Sequence, residues 1–229
     1  MTTRSAMILA AGRGERLAPL TDLTPKPLLE IAGEPLIDHH LRALAHAGIT
    51  QITVNVAHLS EQIVAHLTSV RPGAIRVDFS HESQGALETG GGIHNALDLI
   101  ESDPFIVVNA DIWTNFPFAA LPDAIDSLAH LVLVTNPPHH PGGDFVLRDG
   151  MVQKTGRDPT TTLTYSGIGL YQKCLFKDCS SGRFPLAPLL HKAAQAGQLS
   201  GEVYRGNWID IGTPKRLMEA QRQARTHLG

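Results

Sequence analysis

Gly12 and Gly14 flank Arg13 in the stretch "AAGRGERLAPLTDLTPKPLL", and Arg16 and Lys26 follow among Pro19, Pro25 and Pro27. Glycines allow backbone N–H groups to close around a ligand, and N–H groups beside arginine and lysine suit a polyphosphate. Far downstream, Asp111 ends "VVNAD" and Asp210 lies in "WIDIG". Such carboxylates can hold a hard divalent cation, which belongs beside phosphate oxygens. From position alone, a turn aspartate and a metal ligand are both open for Asp111.

Two familiar phosphate loops fail on this stretch. A Walker loop needs Gly-Lys-Ser/Thr after its fourth spacer, whereas Gly14 leads to Glu15 and Arg16. A dinucleotide fingerprint needs a third glycine and an immediate helix, and Pro19 interrupts instead. An isolated G-x-G also fits an ordinary turn. The prolines favour a ligand loop, because they stiffen an extended arm that delivers Lys26 to the glycines.

The elements that must carry these residues alternate. Strand-like runs at 6–10, 51–57, 75–80, 104–110 and 130–136 are separated by helical patterns at 35–48, 59–69 and 89–100. This predicts an α/β fold, a Rossmann-like, mostly parallel sheet flanked by helices. Ligands of such sheets sit beyond the carboxyl ends of strands, where the first loop and "NAD" (109–111) both fall. After Asn136 the turn-rich "PPHHPGGD", then "FVLRDGMVQK" and "TLTYSGIGLYQ", predict a small antiparallel extension rather than another βαβ unit. The closing "EVYRGNWIDIGTPKRLMEAQRQA" reads as strand, turn and helix, with Thr213 as N-cap and Pro214 in the first helical position. No repeat or long linker divides residues 1–229, which read as a single domain.

Composition excludes several classes. A formal net charge of -3 argues against a nucleic-acid backbone as partner. No apolar run approaches a bilayer span, and "MTTRSAMILAAG" is too short in apolar core for a signal peptide. The two cysteines, Cys174 and Cys179, can complete neither a structural zinc site nor a disulfide framework. The expectation is a cytoplasmic protein with reduced thiols and no membrane partner. Twelve histidines form no H-E-x-x-H pattern, and only one of His39 and His40 can face the core of its helix. The pair in "PPHHPGG" fits a surface loop or a ligand-facing wall, and Trp113 and Trp208 fit either packing or a sugar face.

The long stretch "LAAGRGERLAPLTDLTPKPLLEIAGEPLI" resembles the signature of nucleotidyltransferases acting on sugar 1-phosphates. "LETGGGI" (87–93), "VVNAD", "YSGIGLY" (165–171) and "WIDIGTPKRLMEA" (208–220) match in order, so the resemblance runs from near residue 6 to near residue 220. The compact length, "LETGGG" and "NPPHHPGGDF" are most similar to the bacterial N-acetylmuramate α-1-phosphate uridylyltransferases of cell-wall recycling. The resemblance implies a nucleoside triphosphate and a sugar 1-phosphate as substrates, with Asp111 and Asp210 meeting on Mg²⁺ between them. Residues 1–135 would form the nucleotide-binding part, and 136–229 the sugar-binding extension and C-terminal strand–helix.

Individual roles follow on that basis. Arg16 suits a bidentate grip on the β/γ-phosphates, and Lys26 a point charge at the α-phosphorus; with Asp111 they form the expected catalytic group. Leu9, Ala10, Ala11, Gly12 and Gly14 would offer backbone to the nucleotide, with Glu82 or Gln84 reading the base and Gly85 allowing close approach. Thr89 is a candidate N-cap at the nucleotide, and Glu88 faces ribose or sugar. On the sugar side stand Asn109, Gly143, Asp144, Ser166 and Gly167. Many relatives carry a phosphate-binding lysine in Glu-Lys-Pro before "YSGIGLY"; here "VQKTGRDP" offers only Lys154. The attacking phosphate is ionised at neutral pH, so no histidine is assigned as a base. Rival readings are the same chemistry on another pair (GTP with mannose or heptose 1-phosphate, UTP or dTTP with glucose 1-phosphate, CTP with phosphocholine) and a non-catalytic nucleotide-sugar sensor.

Overall fold

A computed structural model describes residues 4–70, 75–83, 85–154 and 162–227. The chain opens with β1 (Ser5–Leu9), a short helix α1 (Leu20–Leu23), two-residue strands β2 (Glu30–Ile31) and β3 (Glu34–Pro35), and α2 (Leu36–His46). Next come β4 (Gln51–Val56), α3 (Ser60–Ser69), β5 (Arg76–His81), α4 (Glu88–Ala96), β6 (Phe105–Asn109) and β7 (Ile112–Thr114). The remainder comprises β8 (Ala129–Val134), β9 (Phe145–Arg148), β10 (Met151–Lys154), β11 (Thr162–Tyr171), α5 (Ala187–Gln195), β12 (Leu199–Val203), β13 (Trp208–Asp210) and α6 (Pro214–His227).

Among the described residues, nine strands form one sheet in the order β5-β4-β1-β6-β11-β8-β12-β10-β9. Neighbours from β5 to β6 run parallel, as do β8 and β12. β4 is buried at all six positions, as a strand covered on both faces must be. Alternation along β1 sends Ala6 and Ile8 to one face with α2 residues Ile37 and Leu41, and Met7 to the other with Ile93 of α4 and Leu190 of α5. In α2 the buried residues include Leu36, His40 and Leu44, so of the paired histidines only His40 faces the core, at 2% exposure.

The segment after Asn136 supplies the expected antiparallel strands, which are continuous with the main sheet. β11 runs antiparallel between β6 and β8, inside the main sheet, and the β9–β10 hairpin continues that sheet beyond β12, with β9 pairing back onto the start of β11. A second crossover also occurs there: α5 leads into β12, which pairs parallel with β8. The helical spacing of Leu190, Ala193 and Ala194 was hidden by the Gly- and Pro-rich approach to α5.

A third, smaller core links the two ends of the described chain. Leu17, Ile31 and Leu36 pack with Trp113, Ile211, Leu217 and Ala220. Full burial of each such aliphatic side chain contributes about 1.5–3 kcal/mol, so the opening loop leans firmly on α6. Thr213 caps α6 as expected, its Oγ1 accepting from Arg216 N–H at 3.4 Å.

Candidate active site

The opening arm is a chain of tight turns rather than an extended segment. A 3₁₀ turn at Glu15–Leu17, α1, and a second 3₁₀ turn at Lys26–Leu28 occupy it, and prolines fit the openings of such turns. Gly14 adopts φ 70°, and a Cβ there would lie 3.1 Å from Thr21 Cγ2 and 3.4 Å from the Lys26 stem. The left-handed backbone therefore favours glycine, and the Thr21 methyl leaves little room for a larger residue. The arm still delivers Lys26: its Nζ donates to Asp111 Oδ2 at 2.5 Å, and the residue is only 8% exposed.

Register places the acidic residues. Leu9 pairs with Asn109, and Ala110 N–H donates to the Leu9 carbonyl, so Asp111 emerges beside the glycine loop at the carboxyl end of β6. β13 pairs antiparallel with β7, setting Asp210 opposite Ile112, and Ile211 N–H donates to the Asp111 carbonyl at 2.6 Å. Two clefts meet on this wall. The larger, about 600 Å³, is lined by Leu9–Arg16, Lys26, Glu88, Thr89, Asn109 and Asp111, among others. The smaller, about 360 Å³, shares Arg16, Asn109 and Asp111 with it and adds Ser166, Gly167 and Asp210.

The wall beyond the glycine loop is a buried polar chain. Ala10 N–H donates to Asn55 Oδ1 at 2.7 Å, and Asn55 Nδ2 donates to Glu82 Oε1 at 2.7 Å. Leu87 N–H donates to Glu82 Oε2 at 2.6 Å. A Cβ on Gly92 would lie 2.7 Å from Glu82 Oε1, so this glycine makes room for the carboxylate. Glu82, 5% exposed with both oxygens engaged, holds the loop rather than reading a base with its side chain. Gln84 lies outside the described residues. Gly85 lines an adjoining recess with Ala11 and Arg13. Thr89 is not a cap: α4 begins at Glu88, with Leu87 in the capping position and no side-chain cap bond. Glu88 faces the larger cleft and pairs with Arg183 at 3.0 Å.

The smaller cleft is shaped by a bulge. The register of β11 against β8 shifts between Tyr165 and Ile168, where Gly167 has φ 82° and its missing side chain leaves room for Asn109. Trp208 Nε1–H donates to the Ser166 carbonyl at 2.8 Å, holding the bulge against β13. Gly143 and Asp144 are not brought to this wall. Asp144 instead accepts from Tyr165 N–H at 2.8 Å and lies 2.9 Å from His140 Nε2, fixing the loop that presents His139 and His140 to the cleft. Lys154 is exposed on the edge hairpin and lines neither cleft.

Asp210 is flanked by His139 and Arg216. His139 Nε2 lies 3.0 Å from Oδ1, and Arg216 Nη2 lies 2.9 Å from Oδ2. Neither contact has hydrogen-bond geometry; Oδ1 is buried without a hydrogen bond. His139 and Arg216 lie inside matched motifs without a role assigned to them, and Asn55 lies outside any motif; strand pairing and loop closure place all three. Among the described residues no group of three or more His, Cys, Asp or Glu converges on a metal position. Two carboxylates with an underused oxygen nevertheless fit Mg²⁺, which takes few protein ligands and completes its shell with phosphates and water.

The family model for nucleotidyl transferases matches residues 5–145, more than half of the chain. The chain belongs to the nucleotidyltransferase family. This nucleotidyltransferase is 45% identical to the N-acetylmuramate alpha-1-phosphate uridylyltransferase of Neisseria meningitidis serogroup B, over 94% of the chain and 96% of the relative. It is 35% identical to the protein of the same name from Caulobacter vibrioides, over 94% and 95% of the two chains. Its fold matches HddC from Yersinia pseudotuberculosis with a TM-score of 0.80 at 26% identity, covering 96% and 99% of the two chains. The inositol-1-phosphate CTP transferase from T. maritima shares the fold at 17% identity, with a TM-score of 0.78 and coverage of 98% and 97%. Sugar-1-phosphate nucleotidyltransfer is thus its class of chemistry. No helix among the described residues is long and apolar enough to cross a membrane.

Proposed function

We propose that the enzyme condenses UTP with N-acetylmuramic acid 1-phosphate, releasing pyrophosphate and forming UDP-N-acetylmuramic acid. The observation that carries this is one wall, Arg16, Asn109 and Asp111, shared by two clefts, with Lys26 bonded to Asp111 from the larger one. A donor and an acceptor can meet there across a single phosphorus. The names of the two uridylyltransferase relatives support the choice of substrates. On this reading residues 1–135 supply most of the nucleotide cleft, and 136–229 most of the sugar cleft, within one domain. The enzyme would act in the cytoplasm on small phosphorylated substrates, with neither nucleic acid nor membrane as partner.

The chemistry is mainly positioning and charge neutralisation. Backbone N–H groups from Ala11 to Gly14 and the Arg16 guanidinium hold the triphosphate. A sugar-phosphate oxygen attacks the α-phosphorus in line, a new P–O bond forms, and the bond to the β-phosphate oxygen breaks with its electron pair leaving on pyrophosphate. Lys26, drawn to this wall by Asp111, places positive charge where the pentacoordinate phosphorus accumulates negative charge. Asp111 and Asp210 are the residues that would hold Mg²⁺, which when bound neutralises the two phosphates. Trp208 and the Ser166–Gly167 bulge form the floor on which the sugar rests.

A panel of nucleoside triphosphates against sugar 1-phosphates, read by pyrophosphate release, tests the assignment. UTP with N-acetylmuramic acid 1-phosphate should give the highest kcat/KM. Preference for GTP with a mannose or heptose phosphate, or any other pair, would overturn the substrate assignment, and nucleotide binding without pyrophosphate release would overturn catalysis.

A further inference from the structure

Arg216 stands in the first turn of α6, and its guanidinium folds back over Gly212. A methyl group built on Gly212 would collide with Arg216 Nη2 and would lie 3.0 Å from Arg16 Nη2. Gly212 belongs to the wall of the nucleotide cleft and not to that of the sugar cleft. Two guanidinium groups therefore converge on Gly212, which with Arg16 lines the nucleotide cleft, while Arg216 stands just behind that lining. The Arg216 side chain is only 16% exposed, and its Nε and Nη2 are cut off from solvent without a hydrogen-bond acceptor. Asp210 is near enough to compensate charge, but not in geometry to accept those donors.

A guanidinium has five N–H donors in a rigid planar fork, and leaving such donors buried and unpaired is unfavourable. Repulsion between two close cations adds to the imbalance. An anion with several oxygens, accepting from both forks, relieves both at once. We propose that Arg216 and Arg16 form a two-arginine seat for the pyrophosphate end of the nucleoside triphosphate. Arg216 is then a catalytic residue: it meets the β- and γ-phosphates in the bound substrate, and meets the growing charge as the P–O bond to them breaks. The seat rests on the nucleotide-cleft reading given above.

Calorimetric titration of the full chain tests it, using pyrophosphate, UTP, UMP and the sugar 1-phosphate as separate probes, each with Mg²⁺ and in EDTA. Arg216→Gln should weaken pyrophosphate and UTP about 10- to 100-fold in both conditions, the loss expected for a charge-assisted contact. UMP and the sugar phosphate should stay within about twofold. Arg216→Lys keeps a charge without the fork and should fall between, so it carries the test should the glutamine variant fail to fold. Unchanged pyrophosphate affinity, or an equal loss for UMP or the sugar phosphate, overturns the seat. A loss confined to Mg²⁺ also overturns it, since Arg216 would then act only through Asp210. Wild-type protein that binds neither UTP nor pyrophosphate would instead remove the nucleotide-cleft reading itself.

Discussion

Ile211 donates its backbone N–H to the carbonyl of Asp111 at 2.6 Å, in line with the β7–β13 ladder. Main-chain bonding thus sets the neighbourhood of the two aspartates, and their carboxylates are left for chemistry. Asp111→Asn keeps the ladder and an oxygen that can accept from Lys26, while removing the charge. Turnover should fall by about 10²–10³-fold or more, with the melting temperature within about a few degrees of wild type. Pyrophosphate release together with a thermal melt checks this; near-normal turnover would remove Asp111 from the mechanism.

Glu82 should govern nucleotide affinity through the loop it organises. Glu82→Ala frees Asn55 Nδ2 and Leu87 N–H inside the protein, at about 1–3 kcal/mol for each donor left unpaired. KM for UTP should rise severalfold while kcat changes little, because no reacting atom is touched. Steady-state kinetics and urea unfolding on one preparation measure both effects. A fall in kcat at constant KM would assign Glu82 a direct part in the chemistry.

Gly167→Ala tests the sugar cleft. Its Cβ would stand 2.6 Å from Asn109 Nδ2, on a backbone with φ 82°. The expected cost is about 1–3 kcal/mol of stability, with KM raised for the sugar phosphate more than for UTP. Equal KM changes for both substrates would place Asn109 on the nucleotide side alone.

His40 should give the protein an acid-sensitive component of stability. Complete burial pushes its imidazole from 6.5 down to about 4, against the opposing effect of a backbone hydrogen bond with Ile112. Between those values the unfolded chain binds the proton and the folded chain does not, so stability falls as pH falls through this window. The total is on the order of 3 kcal/mol. Urea unfolding of wild type and His40→Met from pH 7 to pH 4 should therefore give curves that diverge on acidification, wild type losing more. Parallel curves would refute the linkage.

The parallel half of the sheet was legible because its strands and helices are local patterns: "QITVNV" is a buried strand, and Leu36, His40 and Leu44 recur at helical spacing. Lys26 and Asp111 were singled out through the family resemblance rather than by position alone, and the structure brings the two into contact. The place of β11 was not readable, since its sequence does not show whether it joins the main sheet or a separate one. Nor was the role of Glu82, whose function depends on Asn55 from another strand and on a glycine that makes room for it. Arg216 lies in the matched "WIDIGTPKRLMEA", yet the motif does not separate its arginine from the other charges of an amphipathic helix; burial does.

The small core joining Leu17 and Ile31 to Ile211, Leu217 and Ala220 has a consequence for timing. During synthesis the glycine turn leaves the ribosome well before α6, so a partly made chain holds every residue of the turn without the surface it rests on. Competence to hold a ligand in this turn therefore waits for α6 rather than growing strand by strand.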